Sequence, residues 1–199
     1  MILLGKDGGI SDYIPEEGLS EEMNLRILTP SDAAAYRDLR LRALREWPPA
    51  FGTPVEEEEQ LSLDDFSERL VETKDRCLIG VFEDQVLVGS IRLSRYDTGN
   101  EFHRAYLAGL YVMPERRKLG YGRALVTQAI VRASRDDVLR RLNLTVVFGQ
   151  KSAIALYESL GFVSYGIEKE AFQARGLFFD EILMTLDLRE EPNKAPTRC

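Results

Sequence analysis

The stretch LYVMPERRKLGYGRAL, Leu110–Leu125, decides the fold because it joins a strand, a glycine-containing turn and a helix. An apolar run ends at Pro114, a basic turn follows, and Arg117-x-x-Gly120-x-Gly122 leads into helix-forming residues. A strand that enters a helix through such a turn aims several backbone N–H groups at one point. The helix dipole adds partial positive charge there, and glycine lets phosphate oxygens approach the backbone. The stretch therefore predicts a site for a phosphorylated cofactor.

Positive charge is concentrated at this turn, although the chain as a whole is acidic. The 199 residues carry a formal net charge of −7, which argues against nucleic acid as a partner. Residues 114–151 nevertheless hold nine Lys or Arg and only three Asp or Glu. We interpret Arg116, Arg117, Lys118 and Arg123 as contacts for an anion, and the basic residues further along the helix as a solvated face.

Composition excludes several other classes of protein. No window approaches the roughly 20 apolar residues of a membrane span, and the N-terminus lacks the apolar core of a signal peptide. Cys77, Cys199 and the single histidine, His103, form neither a disulfide framework nor a metal-ligand pattern. We therefore expect a cytoplasmic protein that associates with no membrane and needs no metal.

The chain divides into one domain with two flexible ends. Residues 1–22 are rich in glycine, carry six acidic residues and have no hydrophobic period, which predicts a flexible extension and leaves Met23 as a possible functional start. Residues 189–199 contain two prolines and predict a flexible tail. Residues 23–188 form the domain, since this length suits a single core.

Hydrophobic periodicity predicts seven strands and four helices in the order β-α-α-β-β-β-α-β-α-β-β, an α/β (α+β) fold with helices on the faces of a mixed sheet. Thr29 with Asp32, and Ser62 with Asp65, predict two capped helix starts. Glu83-Asp84, between two β-rich runs, predicts a hairpin.

Over roughly residues 23–188, the sequence resembles those of the GNAT superfamily of N-acetyltransferases. Arg117-x-x-Gly120-x-Gly122 resembles its acyl-CoA pyrophosphate signature, and Ala153–Phe162 is similar to its later helix. Phe179–Leu186 resembles its closing strand, and Trp47–Gly52 followed by the glutamate run Glu56–Glu59 resembles a loop of many bacterial members. The signature alone would be weak evidence for the family. Its position between a strand and a helix, together with the similar helix later in the sequence, makes the match strong.

The sequence departs from the family pattern at two positions. Lys118 stands where many members carry glycine, and Gln150 stands where many carry an asparagine that contacts the cofactor. Lysine keeps its backbone N–H and adds positive charge, so we expect cofactor binding to survive the first change.

The resemblance implies a mostly antiparallel sheet of about seven strands and acetyl transfer from acetyl-CoA to a primary amine of a small molecule, protein or peptide. It implies cofactor binding by Leu110, Tyr111, Val112, Arg117, Lys118, Leu119, Gly120, Tyr121, Gly122, Arg123 and Gln150. The backbone around Val112 would pair with pantetheine and polarise the thioester carbonyl. Tyr157 would protonate the departing thiolate, since the pKa of a phenol, about 10, is near that of a thiol. A monomer or a homodimer is expected.

The sequence leaves several alternatives open. Glu57, Glu58, Glu101, His103 and Tyr111 could each accept the proton of the amine through water. The glutamate run is most simply a solvated face, although an acidic rim would also attract cationic acceptors. Tyr157 could be only a core aromatic. A non-catalytic acyl-CoA-binding sensor is the alternative function, whereas a P-loop nucleotidase is disfavoured because Gly-Lys-Ser/Thr is missing after the turn.

Overall fold

A computed structural model describes residues 23–47 and 53–189. The predicted extension at 1–22, part of the loop after Trp47, and residues 190–199 of the predicted tail lie outside the described residues. The elements are β1 Asn24–Ile27, α1 Ala33–Glu46, α2 Val55–Glu59, α3 Leu63–Arg69, β2 Arg76–Glu83, β3 Val86–Arg95, β4 Arg104–Val112, α4 Tyr121–Ser134, β5 Arg141–Val147, α5 Lys151–Ser159, β6 Val163–Ala174 and β7 Leu177–Asp187.

The strands form one seven-stranded sheet in the order β1-β2-β3-β4-β5-β7-β6. Every neighbouring pair is antiparallel except β4 and β5, which run parallel. The predicted mixed, mostly antiparallel sheet of about seven strands is therefore confirmed. No described helix is long and apolar enough to cross a membrane.

Local signals in the sequence place several boundaries correctly. The Thr29 N–H donates to Asp32 Oδ2 at 2.8 Å, and Ser62 with Asp65 forms the second capping box before α3. The hairpin between β2 and β3 turns at Asp84 and Gln85, whose φ angles of 47° and 68° lie in the left-handed region that type I′ turns require.

Two elements differ from the sequence expectation. A fifth helix, α2, forms within the glutamate run, where acidic side chains in the first turn interact favourably with the helix dipole. Strand β6 runs from Val163 to Ala174, whereas the apolar pattern of the sequence predicts a strand only over Val163–Ile167. It is the exposed edge of the sheet, so residues such as Glu168 and Lys169 interrupt the apolar alternation without breaking the strand.

The sheet separates two apolar cores. Leu125 and Ala129 of α4 pack on one face together with Ile79 and Leu142 of the sheet. Residues of α1 and α3, including Phe66, pack on the other face. Helices on both faces hold the central strands in place, and the candidate site lies where two of those strands part.

Candidate active site

The two parallel strands at the centre of the sheet separate along their length. Strands β4 and β5 pair only at Arg104–Arg141, Ala105–Leu142 and Tyr106–Asn143. Both strands continue beyond the last pair, to Val112 and Val147, so a wedge opens between their carboxyl ends. A cleft of about 1090 Å³ occupies this wedge and the space next to it. It is large enough for a cofactor and a small second molecule.

A bulge in β4 sets the geometry of the wedge. The β3–β4 register jumps from Ser90–Tyr111 to Arg92–Ala108, so Gly109 and Leu110 lie opposite a single residue of β3. Gly109 has a φ of 66°, which favours glycine. Sequence reasoning missed this position, although an isolated glycine inside a strand pattern is a known sign of a bulge.

Beyond the bulge, the backbone of β4 presents hydrogen-bonding groups to the wedge. The Met113 N–H donates to the Val88 carbonyl of β3 at 2.9 Å. Because successive strand residues point their amides to opposite edges, the N–H of Val112 points toward the wedge. An extended ligand lying between β4 and β5 could therefore pair with β4 as an added strand would.

The turn between β4 and α4 leaves helix amides available. Gly120 precedes the helix with a φ of 87° and, having no side chain, gives the first turn of α4 no side-chain cap. A Cβ built on Gly120 would meet no atom within 4 Å. Open space in front of uncapped amides at a helix N-terminus suits a phosphate group.

The four basic residues of the turn have different environments. Arg116 pairs with Glu83, and Arg123 donates to Ser159 Oγ at 2.6 Å. Arg117 donates from Nε to the Val112 carbonyl at 3.0 Å, and its guanidinium lies 5.7 Å from the Tyr111 ring. Among these four, Lys118 is the residue with no ion pair or side-chain hydrogen bond to another described residue. Arg117 thus joins the turn to the end of β4.

The structure brings together most of the residues that sequence reasoning selected for the site. Those that line the cleft are Leu110, Tyr111, Val112, Arg117, Lys118, Gly122, Gln150 and Tyr157. Four others, Leu119, Gly120, Tyr121 and Arg123, do not line it. The Tyr121 side chain is buried, and its hydroxyl donates to Glu83 Oε1 at 2.7 Å. The assignment of these four residues to the cofactor site therefore stays a prediction.

Tyr157 on α5 forms part of the cleft wall. Its side chain is 7% exposed, and its ring packs edge-on against Phe162 with 5.7 Å between centroids. Burial raises the pKa of its hydroxyl well above the ordinary range. No described residue forms a hydrogen bond with this hydroxyl. Tyr157 is thus both a core aromatic and a protonated group in contact with the cleft.

Residues 38–162 match the model of the Acetyltransferase (GNAT) family. This chain belongs to the GNAT family of acetyltransferases. The family fold implies transfer of an acetyl group from acetyl-CoA, and the wedge, the uncapped amides and the open space at Gly120 fit that co-substrate. A comparison with curated proteins found no match.

Solved structures support the GNAT fold. An acetyltransferase of the GNAT family from Streptococcus pneumoniae superposes with a TM-score of 0.74 at 23% identity, over 83% of this chain and 99% of that chain. The yncA protein from Salmonella typhimurium, solved with its cofactor acetyl-CoA, has a TM-score of 0.72 at 20% identity, over 90% and 100%. A ribosomal-protein-alanine N-acetyltransferase from Brucella melitensis has a TM-score of 0.67 at 22% identity, over 82% and 99%.

The candidate proton acceptors of this GNAT chain separate into two groups. Glu58 and Tyr111 line the cleft, whereas Glu57, Glu101 and His103 do not. Glu101 instead pairs with Arg104 at 2.5 Å. Among residues 23–47 and 53–189, no three His, Cys, Asp or Glu side chains come together as metal ligands would.

Two further carboxylates line the cleft and were missed by sequence reasoning. Glu46, at the end of α1, accepts a hydrogen bond from the Tyr111 hydroxyl at 2.7 Å. Glu181 on β7 lies on the opposite side, and burial raises its pKa, aided by the charge of Glu168 and opposed by a hydrogen bond from Thr145. Glu181 is therefore a stronger base than an exposed glutamate. Neither residue belongs to a recognisable motif, so only the fold could place them here.

Lys118 has a φ of 64°, a backbone conformation that favours glycine, and this explains why many family members carry glycine at this position. We predict that Lys118→Gly keeps or slightly raises thermal stability, because relief of strain offsets the greater freedom of the unfolded chain. Acetyl-CoA affinity should fall by about tenfold or less and depend less on salt, since one charge is lost.

Calorimetric titration at two salt concentrations and thermal melts test this prediction. Arg175→Gly is the matched control, because Arg175 also has a positive φ, 50°, but does not line the cleft. A loss of affinity equal to that of the control, or a marked loss of stability, would contradict the assignment of Lys118 to the anion site.

Proposed function

We propose that this chain transfers the acetyl group of acetyl-CoA to a primary amine. The observation that carries the proposal is the wedge between β4 and β5, which ends beside the uncapped amides of α4 and has the Tyr157 hydroxyl in its wall. Acetyl-CoA supplies the thioester. The residues of the chain bind it, orient it and provide a proton.

Binding would depend largely on the backbone. The amides from Leu119 to Gly122 would hold the pyrophosphate, with Lys118 adding positive charge. The N–H of Val112 faces the wedge and would donate to the pantetheine arm or the thioester carbonyl. Gln150 lines the same cleft at the start of α5 and would contact the cofactor from the opposite side.

The chemical step forms one bond and breaks another. The amine nitrogen bonds to the acetyl carbon while the carbon–sulfur bond breaks. The nitrogen loses a proton to water, the sulfur gains one from the protein, and water then returns a proton to the protein donor. Tyr157 would donate the proton to sulfur, because its hydroxyl lines the cleft and has no hydrogen bond to a described residue. Burial keeps this hydroxyl protonated but raises its pKa further above that of a thiol, so the proton transfer is less evenly balanced than the sequence suggested.

Thermal melting tests the binding half of the proposal. Acetyl-CoA at about 100 times its Kd should raise Tm by roughly 5–10 °C, since a ligand that binds only the folded state stabilises it by mass action. Dephospho-CoA should give a smaller shift if cations at the turn hold the 3′-phosphate. No shift with millimolar acetyl-CoA would contradict the proposal.

A further inference from the structure

The cleft has two chemically different parts. Lys118, Gly122 and Gln150 lie at the end formed by α4 and α5, where acetyl-CoA is proposed to enter. The other part lies against helices α1–α3 and strands β2 and β3 and is left for the acceptor. We call it the acceptor pocket, and its polar lining includes Tyr36, Arg40, Glu58, Arg69, Arg76 and Arg92. Glu46 of α1 also lines this part of the cleft, so four guanidinium groups face two carboxylates.

Both carboxylates of the acceptor pocket are already paired within the protein, and Glu46 accepts a hydrogen bond from Arg42 Nε at 2.8 Å. Glu58 is 3% exposed, and its two oxygens have different partners: Arg40 Nη2 at 3.3 Å from Oε1 and Arg69 Nη1 at 2.7 Å from Oε2. The interpretation of the glutamate run as a solvated face is therefore wrong for Glu58. A carboxylate held by two arginines is not available to attract a cationic acceptor.

The remaining positive charge in the pocket has no carboxylate to match it among the described residues. The guanidinium of Arg92 on β3 lies 5.8 Å from the centroid of the Tyr106 ring and forms no ion pair or hydrogen bond with another described residue. Arg76 donates from Nη2 to the Glu68 carbonyl at 3.3 Å, whereas its Nε is buried and has no hydrogen-bond partner among the described residues. Both side chains line the cleft.

The environment of Tyr36 shows that these charges converge. Burial raises the pKa of the Tyr36 hydroxyl, the positive charges of Arg40, Arg92 and Arg69 act to lower it, and Glu58 acts to raise it. One buried hydroxyl thus experiences three guanidinium groups and one carboxylate. The acceptor pocket thus holds more guanidinium than carboxylate groups, an excess of positive charge that an anion would neutralise.

We propose that the acceptor is a small amine that also carries an anionic oxygen group, a carboxylate or a phosphate, which binds to Arg92 and Arg76. This inference rests on the proposed function. A guanidinium fork matches carboxylate and phosphate oxygens in two parallel hydrogen bonds, so it fixes orientation as well as charge. With its anionic end held in the acceptor pocket, the molecule would extend its amine toward the wedge. The pocket disfavours polyamines, because their positive charges would lie next to the guanidinium groups of Arg92 and Arg76.

The test compares acceptors in matched pairs at saturating acetyl-CoA. Each amino acid is paired with its carboxamide, and an amino alcohol is paired with its phosphate ester; a polyamine completes the panel. The acidic member of a pair should have a kcat/KM roughly ten- to a hundredfold higher than its neutral partner. The pair with the larger ratio identifies carboxylate or phosphate as the anionic group.

Arg92→Gln should remove most of this preference, by raising KM for the acidic acceptor far more than KM for its neutral partner. Arg45→Gln is the matched control, because Arg45 is exposed, pairs with Glu59 and does not line the cleft. Equal use of acidic and neutral amines, a preference for the polyamine, or an equal loss for all acceptors in Arg92→Gln would overturn the inference.

Calorimetric titration of the acidic and neutral amines into the protein with CoA separates this inference from the proposed function. Binding of the acidic amine that is lost in Arg92→Gln, without transfer to any amine, would contradict the acetyltransferase proposal and retain the anion site. Transfer to neutral amines, with no preferential binding of acidic ones, would support the acetyltransferase proposal and contradict the anion site. If the protein neither binds acidic amines preferentially nor acetylates any amine, the anion site and the acetyltransferase proposal are both contradicted.

Discussion

Replacing Gly120 with valine is expected to abolish acetyl-CoA binding while the domain remains folded. Gly120 has a φ of 87°, and a Cβ there would meet no protein atom within 4 Å. The valine side chain would thus occupy the space in front of the α4 amides, where phosphate oxygens are proposed to bind. The unfavourable φ would also disturb the turn. We expect the Kd for acetyl-CoA to rise by about a hundredfold or more, measured by calorimetry.

Gly176→Val provides the control for backbone strain. Gly176 has a φ of 77°, also has no atom within 4 Å of a Cβ, and lies in the turn between β6 and β7, outside the cleft. Both variants should lose similar stability, but only Gly120→Val should lose binding. If the two bind acetyl-CoA equally well, the anion site lies elsewhere.

Replacing Tyr157 with phenylalanine should lower kcat by roughly ten- to a thousandfold, the usual scale for loss of a general acid. The change removes one oxygen and keeps the ring that packs against Phe162, so stability should barely change. Affinity for acetyl-CoA should also change little, since the hydroxyl is proposed to act in the transition state. Pre-steady-state kinetics with a saturating acceptor measure the chemical step directly.

Tyr121→Phe is the control for this variant. Tyr121 is also a buried tyrosine, but its hydroxyl donates to Glu83 and it does not line the cleft. Loss of the Tyr121 hydroxyl should lower stability and leave the rate of the chemical step unchanged. Equal chemical rates for wild type and Tyr157→Phe would return Tyr157 to a purely structural role.

Sequence reasoning succeeded where the signal is local. Three of these signals depend on residues that are close together in the sequence. They are the caps at Thr29 and Ser62, the hairpin at Asp84, and the strand–turn–helix around Gly120. These signals gave the order of most elements. Together with the family resemblance, they led to the correct fold.

The features that sequence reasoning missed depend on residues far apart in the chain. Glu58 is buried because Arg40 and Arg69 come to it from neighbouring helices, which a run of four glutamates does not reveal. Arg117 contacts the end of β4 because the turn folds back onto that strand. The opening between β4 and β5 likewise depends on non-local pairing, and hydrophobic periodicity reports only on each strand separately.

Amine-dependent formation of acetylated product from acetyl-CoA, followed by mass spectrometry together with release of CoA, tests the central claim most directly. We expect at least one amine of the matched panel to be acetylated, with one CoA released for each product molecule. The contradicting result is acetyl-CoA binding that raises Tm while no amine is acetylated and CoA release stays at the rate without protein. That result would make the chain an acyl-CoA-binding sensor and not an enzyme.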